Sequence, residues 1–131
     1  MKGKRKMKKI LLILCFVFGI VACAQKELPI PAAQRGVFMG NPSYKEAETI
    51  LFKACADARW TIVGKEENII KVNFNYKGFD FDANIQFFNN QYAILFRKVN
   101  SDRGDLEQAY KVYTKYANKL NLIIQRTAAR E

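Results

Sequence analysis

Asp80 and Asp82 are the residues whose types and spacing could carry out chemistry in this chain. Two carboxylates placed two residues apart on a strand project from the same face, as an acid pair of a glycosidase or part of a calcium site would require. A simpler explanation is that Asp82 lies beside Asn73 and forms a cross-strand ion pair with Arg97. The chain contains no histidine. We therefore expect no catalytic residue, no metal site and no cofactor. The alternative to a non-catalytic protein is a small hydrolase or carbohydrate-active protein that uses Asp80 and Asp82.

The first 23 residues have the order of an export signal. Residues 1–9 hold six basic residues and no acid, residues 10–19 are almost wholly apolar, and Ala22 precedes Cys23. A spanning helix needs about 20 apolar residues and this run is shorter, so a cleaved signal is favoured over an uncleaved anchor. The cysteine directly after Ala22 favours a lipoprotein signal over an ordinary secretion signal. The ending resembles a lipobox. That resemblance implies cleavage between Ala22 and Cys23 and acylation of the Cys23 thiol.

The same resemblance implies a location in the cell envelope. With Ala24 after the acylated cysteine, the expected site is the periplasmic side of the outer membrane in an organism with two membranes. In an organism with one membrane, it is the outer face of the cytoplasmic membrane. The expected partners are the lipid bilayer, through Cys23, and an envelope protein or polymer.

The formal net charge of +10 does not indicate a nucleic-acid partner. Six of the 22 basic residues lie in the signal, whereas all 12 acidic residues follow it, so the chain from Cys23 carries only +4. A charge of this size is ordinary for solubility. The row Lys111, Lys115 and Lys119 is expected to be a solvated helix face, with contact to an anionic surface as the alternative. Cys55 is expected to be a buried helix residue, because a reactive thiol needs a histidine or another activating environment and the chain contains no histidine.

The sequence divides into a signal peptide (1–22), a lipid-anchored flexible tether (23–42) and a small globular domain (43–131). The tether contains prolines and glycines without periodicity, although its residues 37–39 could add a short strand or a plug to the domain. Ser43 and Glu46 form a capping box for a helix that ends near Arg59. A second helix begins at Ser101 or Asp105. Its apolar stripe comprises Leu106, Ala109, Tyr110, Tyr113, Tyr116, Ala117, Leu120 and Ile124.

Apolar and polar residues alternate through residues 70–96, which predicts an antiparallel meander with one buried face. An earlier strand over residues 60–63 is expected to pair with its start. Two-residue turns at 77–78 and 89–90 place every apolar residue on one face, and a slip of one residue would reverse a whole strand. The expected pairs are Tyr76–Phe79, Phe74–Phe81, Val72–Ala83, Ile70–Ile85, Phe87–Tyr92, Ile85–Ile94 and Ala83–Phe96.

These elements predict an α+β fold, with a four-stranded antiparallel sheet and both helices packed on one face. The aromatic side chains of the meander are then core residues rather than a surface for stacking nucleic-acid bases. The other face, rich in amides, is the candidate binding face. It comprises Lys71, Asn73, Asn75, Asp80, Asp82, Asn84, Gln86, Leu95 and Arg97.

The whole arrangement resembles a group of small bacterial lipoproteins without an assigned function. The shared features are a lipobox, a tether, a short helix, a tryptophan that opens the first strand, a meander and a tyrosine-bearing helix. Here the tryptophan is Trp60, preceded by Arg59 where glycine is usual, and the matching region spans most of residues 43–126. The resemblance implies a fold and a non-catalytic envelope protein, and it implies no particular reaction.

Overall fold

The protein is an α+β domain with one antiparallel sheet and two helices, described by a computed structural model that covers residues 28–102 and 105–130. The strands are β1 Gln34–Val37, β2 Thr61–Glu66, β3 Ile69–Tyr76, β4 Phe79–Phe88 and β5 Gln91–Ser101. The helices are α1 Tyr44–Asp57 and α2 Leu106–Arg130. The strand order is β1-β5-β4-β3-β2, and every neighbouring pair is antiparallel. The predicted fold class is confirmed.

The prediction of four strands was wrong, because residues within the expected tether form a fifth strand. β1 pairs with β5 at the edge of the sheet, with Gly36 opposite Tyr92 and Val37 opposite Gln91. Directly after it, the Phe38 side chain is buried and its ring lies 5.0 Å from that of Tyr92. The Phe38 N–H donates to the carbonyl of Asn90 at 2.7 Å. A four-residue strand shows too few alternations for a period to be recognised, so its tertiary partners define it.

The predicted register of both hairpins is confirmed. Phe74 lies opposite Phe81 in the first hairpin, and Ile85 lies opposite Ile94 in the second. A β-bulge in β5 then shifts the pairing, so that Ala83 faces Phe96 but Asp82 faces Lys98. The predicted pairing of Asp82 with Arg97 was therefore wrong, because a bulge adds an unpaired residue that strict alternation does not anticipate.

The helices begin where the sequence indicates. The Ser43 hydroxyl accepts a hydrogen bond from the Glu46 N–H at 3.1 Å, and the Glu46 carboxylate accepts one from the Ser43 N–H at 2.9 Å. This confirms the capping box. α1 ends two residues before the expected Arg59, which has a positive φ of 67° and therefore leaves the helix. The Asp105 carboxylate accepts from the Gln108 N–H at 3.0 Å and caps α2.

The core fills the space between one face of the sheet and the two helices. Trp60 stacks on Phe74 with ring centroids 5.0 Å apart and meets Tyr113 of α2 edge-on at 6.2 Å. The prediction that the aromatic residues of the meander form the core is confirmed for Phe74, Phe79 and Phe81, and Tyr76 and Phe96 pack against this core while partly buried. In contrast, Leu106 is 46% exposed and does not belong to the buried stripe of α2. Large aromatic rings bury much area per residue, which matters for a domain this small.

Candidate functional site

The sheet face opposite the helices carries the polar residues that the sequence analysis singled out. Alternation along the strands points their side chains away from the core. Among the six polar candidates on this face, Asn75 and Arg97 are exposed and the other four are partly buried. Six of the nine residues of the candidate binding face are the candidates for contact with a partner: Asn73, Asn75, Asp80, Asp82, Asn84 and Arg97.

Four of the six form one hydrogen-bonded group, which we call the amide–carboxylate cluster: Asn73, Asn75, Asp80 and Asp82. The side-chain N–H groups of Asn73 donate to Asp80 Oδ1 at 2.6 Å and to Asp82 Oδ1 at 2.9 Å. The Asn75 amide donates to Asn73 Oδ1 at 3.0 Å. Each carboxylate thus has a fixed donor on one oxygen and keeps acceptor capacity for another molecule.

Asn84 and Arg97 lie beside this cluster as a separate pair. With the Asn84 amide oriented to satisfy its neighbours, Arg97 Nη1 donates to Asn84 Oδ1 at 3.2 Å, and Asn84 Nδ2 donates to the carbonyl of Ala83 at 3.2 Å. Because the bulge places Lys98 opposite Asp82 in the strand pairing, Arg97 contacts Asn84 instead. The face therefore has an Asn84–Arg97 contact instead of the predicted Asp82–Arg97 ion pair.

The chemistry of this face is hydrogen bonding and charge pairing. Asp80 also lines a shallow cleft of about 340 Å³ at the β3–β4 turn, together with Asn75, Asn100 and Asp102. Within residues 28–102 and 105–130, no three cysteine or carboxylate side chains converge in a way that could hold a metal ion. What the arrangement offers to a partner is a set of positioned acceptors, flanked by the positive charges of Arg97 and Lys98.

A second surface, at the opposite ends of β3 and β4, was not anticipated from the sequence. Tyr44 of α1 stacks on Phe87 with centroids 5.2 Å apart, and both line a cleft of about 630 Å³ together with Phe88, which is 70% exposed. Tyr44 Oη donates to the Glu67 carbonyl at 2.5 Å and accepts from Lys65 Nζ at 2.8 Å. The adjacent pair Phe87-Phe88 was the available signal, because one of two consecutive strand residues must point away from the core.

Cys55 is buried in the core, as predicted. Desolvation raises the pKa of its thiol from 9.0 to about 12, because burial disfavours the thiolate. Burial also raises the pKa of the Tyr113 hydroxyl above its ordinary value of 10.0. The Cys55 thiol is therefore protonated at physiological pH and unsuited to nucleophilic attack.

The predicted signal, its cleavage at Ala22–Cys23 and the acylation of Cys23 all lie outside the described residues. Among those that are described, no helix is both long and apolar enough to cross a membrane. Searches of protein-family models and of curated proteins found no match to this chain. The resemblance to small bacterial lipoproteins stays a prediction from the sequence.

Proposed function

We propose that this chain is a lipid-anchored protein of the cell envelope, with a globular part that acts as a non-catalytic binding or structural module. The anchor is Cys23, and the binding surface is the sheet face that contains the amide–carboxylate cluster. The order of basic, apolar and small residues before Cys23 supports the anchor. The observation that carries the binding role is the shared donation of one amide, that of Asn73, to both Asp80 and Asp82.

This shared amide holds two carboxylates in fixed positions before any partner arrives. Immobilising a long side chain on binding costs about 0.5–1.5 kcal/mol, so side chains already fixed by internal hydrogen bonds lose less on binding. The carboxylate oxygens that remain available accept hydrogen bonds. The partner chemistry that fits is a surface of donors, such as the hydroxyl and amide groups of an envelope polymer or of a protein.

Metabolic labelling with palmitate tests the anchor. We expect the wild-type chain to be labelled and Cys23→Ala to be unlabelled, because the variant lacks the acceptor thiol. Cys55→Ala is the matched control and should keep the label, since that thiol is buried in the core. Equal labelling of wild type and Cys23→Ala would rule out the anchor.

Crosslinking in intact cells tests the binding face. A photoreactive amino acid at Asn75, which is exposed on the cluster, should give a discrete adduct. The same amino acid at Ala56, exposed on α1, is the matched control and should give none. Adducts of equal yield at both positions would contradict the proposed face.

A double substitution, Asp80→Asn with Asp82→Asn, separates this proposal from the hydrolase alternative. The amide side chains keep the size of the carboxylates and one acceptor oxygen each but remove the charge, so a binding module should stay folded and lose only part of its crosslinking. A carboxylate-dependent hydrolase would lose all turnover. Turnover of a cell-wall or glycan substrate by the purified protein, abolished by the double substitution, would overturn the non-catalytic proposal.

A further inference from the structure

The outward side of α2 is positively charged along most of its length. Between Glu107 and the end of the helix, residues 108–130 contain five basic residues and no acidic residue. All five basic side chains are exposed. Leu122, which lies between them in the sequence, is 51% exposed. We call this surface the α2 basic face; its charged residues are Lys111, Lys115, Lys119, Arg126 and Arg130. The opposite side of α2 is buried against the sheet, so the basic face points away from the amide–carboxylate cluster.

Acidic side chains do little to neutralise this face. Lys111 lies 3.9 Å from Glu107, and both side chains are about 70% exposed, so solvent screens the pair. By comparison, Lys65 lies 3.1 Å from a Glu48 side chain that is only 16% exposed. The charge of α2 is therefore available to an external anion.

The N-terminal end of the described chain lies beside the same face. Residues 28–31 and the α2 residues Glu107, Tyr110, Lys111 and Thr114 together line a cleft of about 460 Å³. Cys23 precedes Leu28 by five residues. Five residues span at most about 18 Å when fully extended, so an anchor at Cys23 limits how far this end of α2 can lie from the bilayer.

We propose that the α2 basic face rests on anionic lipid headgroups and orients the domain, so that the amide–carboxylate cluster faces away from the membrane. This inference rests on the proposed anchoring through Cys23. The potential of an anionic leaflet extends about one Debye length, roughly 8 Å at physiological salt, and a connection of at most about 18 Å allows the lysines to enter that range. Each lysine close to such a surface strengthens binding about fivefold.

The acyl chains retain the protein and the basic face sets its orientation. Because both helices cover one face of the sheet, docking through α2 leaves the other face directed outward, where an envelope partner can reach it. A chain held only by its lipid would instead sample all orientations that the connection allows. Three docked lysines should shift the ratio of docked to undocked orientations by roughly 100-fold.

The test uses the acylated protein in vesicles of phosphatidylcholine, with and without phosphatidylglycerol, containing a lipid with a spin-labelled headgroup. A fluorophore is attached at Asn118→Cys on the α2 basic face, or at Asn75→Cys on the sheet. The new thiol is the one that reacts, because Cys23 is acylated and Cys55 is buried. We expect stronger quenching at 118 than at 75 in the vesicles that contain phosphatidylglycerol, and a smaller difference in those that do not.

The charge variants decide whether the lysines are responsible. Lys111→Gln, Lys115→Gln and Lys119→Gln together should abolish the difference between the two labels. The matched control removes three lysines carried by the sheet side, through Lys71→Gln, Lys77→Gln and Lys98→Gln, and should preserve it. Equal quenching at both labels in wild type, or no effect of the α2 substitutions, would overturn the proposal.

Two further outcomes separate this inference from the proposal on which it rests. A chain that carries no palmitate overturns the anchor and the orientation together. An acylated chain whose label at 118 responds to soluble polyphosphate but not to the headgroup quencher overturns the orientation alone. That result would assign the α2 basic face to a soluble polyanion.

Discussion

Substituting Gly36 by alanine tests whether residues 34–37 belong to the sheet. An alanine Cβ at this position would lie 2.7 Å from Cε2 of Tyr92 and closer still to Cζ and Oη of the same ring. Separations below 3.0 Å essentially never occur for a real Cβ. The Tyr92 ring cannot easily move, because its hydroxyl donates to Asn121 and accepts from Gln125 at 2.5 Å, and its face packs on Phe38.

The magnitude follows from the two ways in which the overlap can be relieved. Shifting the ring strains a packed core, which typically costs about 1–3 kcal/mol. Detaching β1 instead exposes Phe38, and exposing a buried side chain of that size costs about 1.5–3 kcal/mol. Because the protein takes the less costly route, we expect a loss of roughly 1–3 kcal/mol in the free energy of unfolding. For a domain of this size, that corresponds to a decrease in Tm of roughly 5–20 °C.

Gly64→Ala is the matched control, because it makes the same chemical change on β2 at the other edge of the sheet. Its Cβ would meet its nearest neighbour, Cδ of Lys71, at an ordinary 3.5 Å. This variant should leave stability unchanged or raise it by up to about 1 kcal/mol, since alanine restricts the unfolded chain. The free energy of unfolding of wild type, Gly36→Ala and Gly64→Ala is measured by urea unfolding of the chain without residues 1–23, followed by the fluorescence of Trp60. If Gly36→Ala were as stable as Gly64→Ala, residues 34–37 would not pack on Tyr92, and the reasoning would be refuted.

Three further predictions concern the core, the first helix and alkaline pH. Trp60→Ala should lower the free energy of unfolding by about 3–5 kcal/mol, measured by urea unfolding followed by circular dichroism. Phe52→Ala, which removes a side chain that is 38% exposed, should cost much less, and similar losses would contradict the core assignment. Ser43→Ala should cost about 1 kcal/mol by removing the α1 cap, and Thr49→Ala in the same helix should cost less in the same assay. The pKa of Cys55 is about 12 in the folded protein and 9.0 ordinarily, so the unfolded chain loses this proton first and stability falls as pH rises from about 9 to 12. Cys55→Ala should weaken that decline. If its pH profile matched that of the wild type, Cys55 would not be the cause of the decline.

The sequence by itself determined the features that depend on local periodicity. Strict alternation and two short turns define the pairing of β3, β4 and β5 up to Ala83, because a shift of one residue would expose the apolar face. The capping box at Ser43 and the buried stripe of α2 follow from spacing within a few residues. In each case the information lies within one segment of the chain, so it can be read without knowing the fold.

Tertiary structure decided the features that depend on contacts between distant segments. β1 forms because Gly36 packs directly against the ring of Tyr92, a residue 56 positions later in the chain. The four residues of β1 carry no recognisable period of their own. The bulge that replaces Arg97 by Lys98 opposite Asp82 is an insertion into an otherwise regular alternation. The polar candidate residues could be assigned to one face from the sequence. That Asn73 joins both aspartates through a single amide depends on side-chain distances, which alternation alone does not specify.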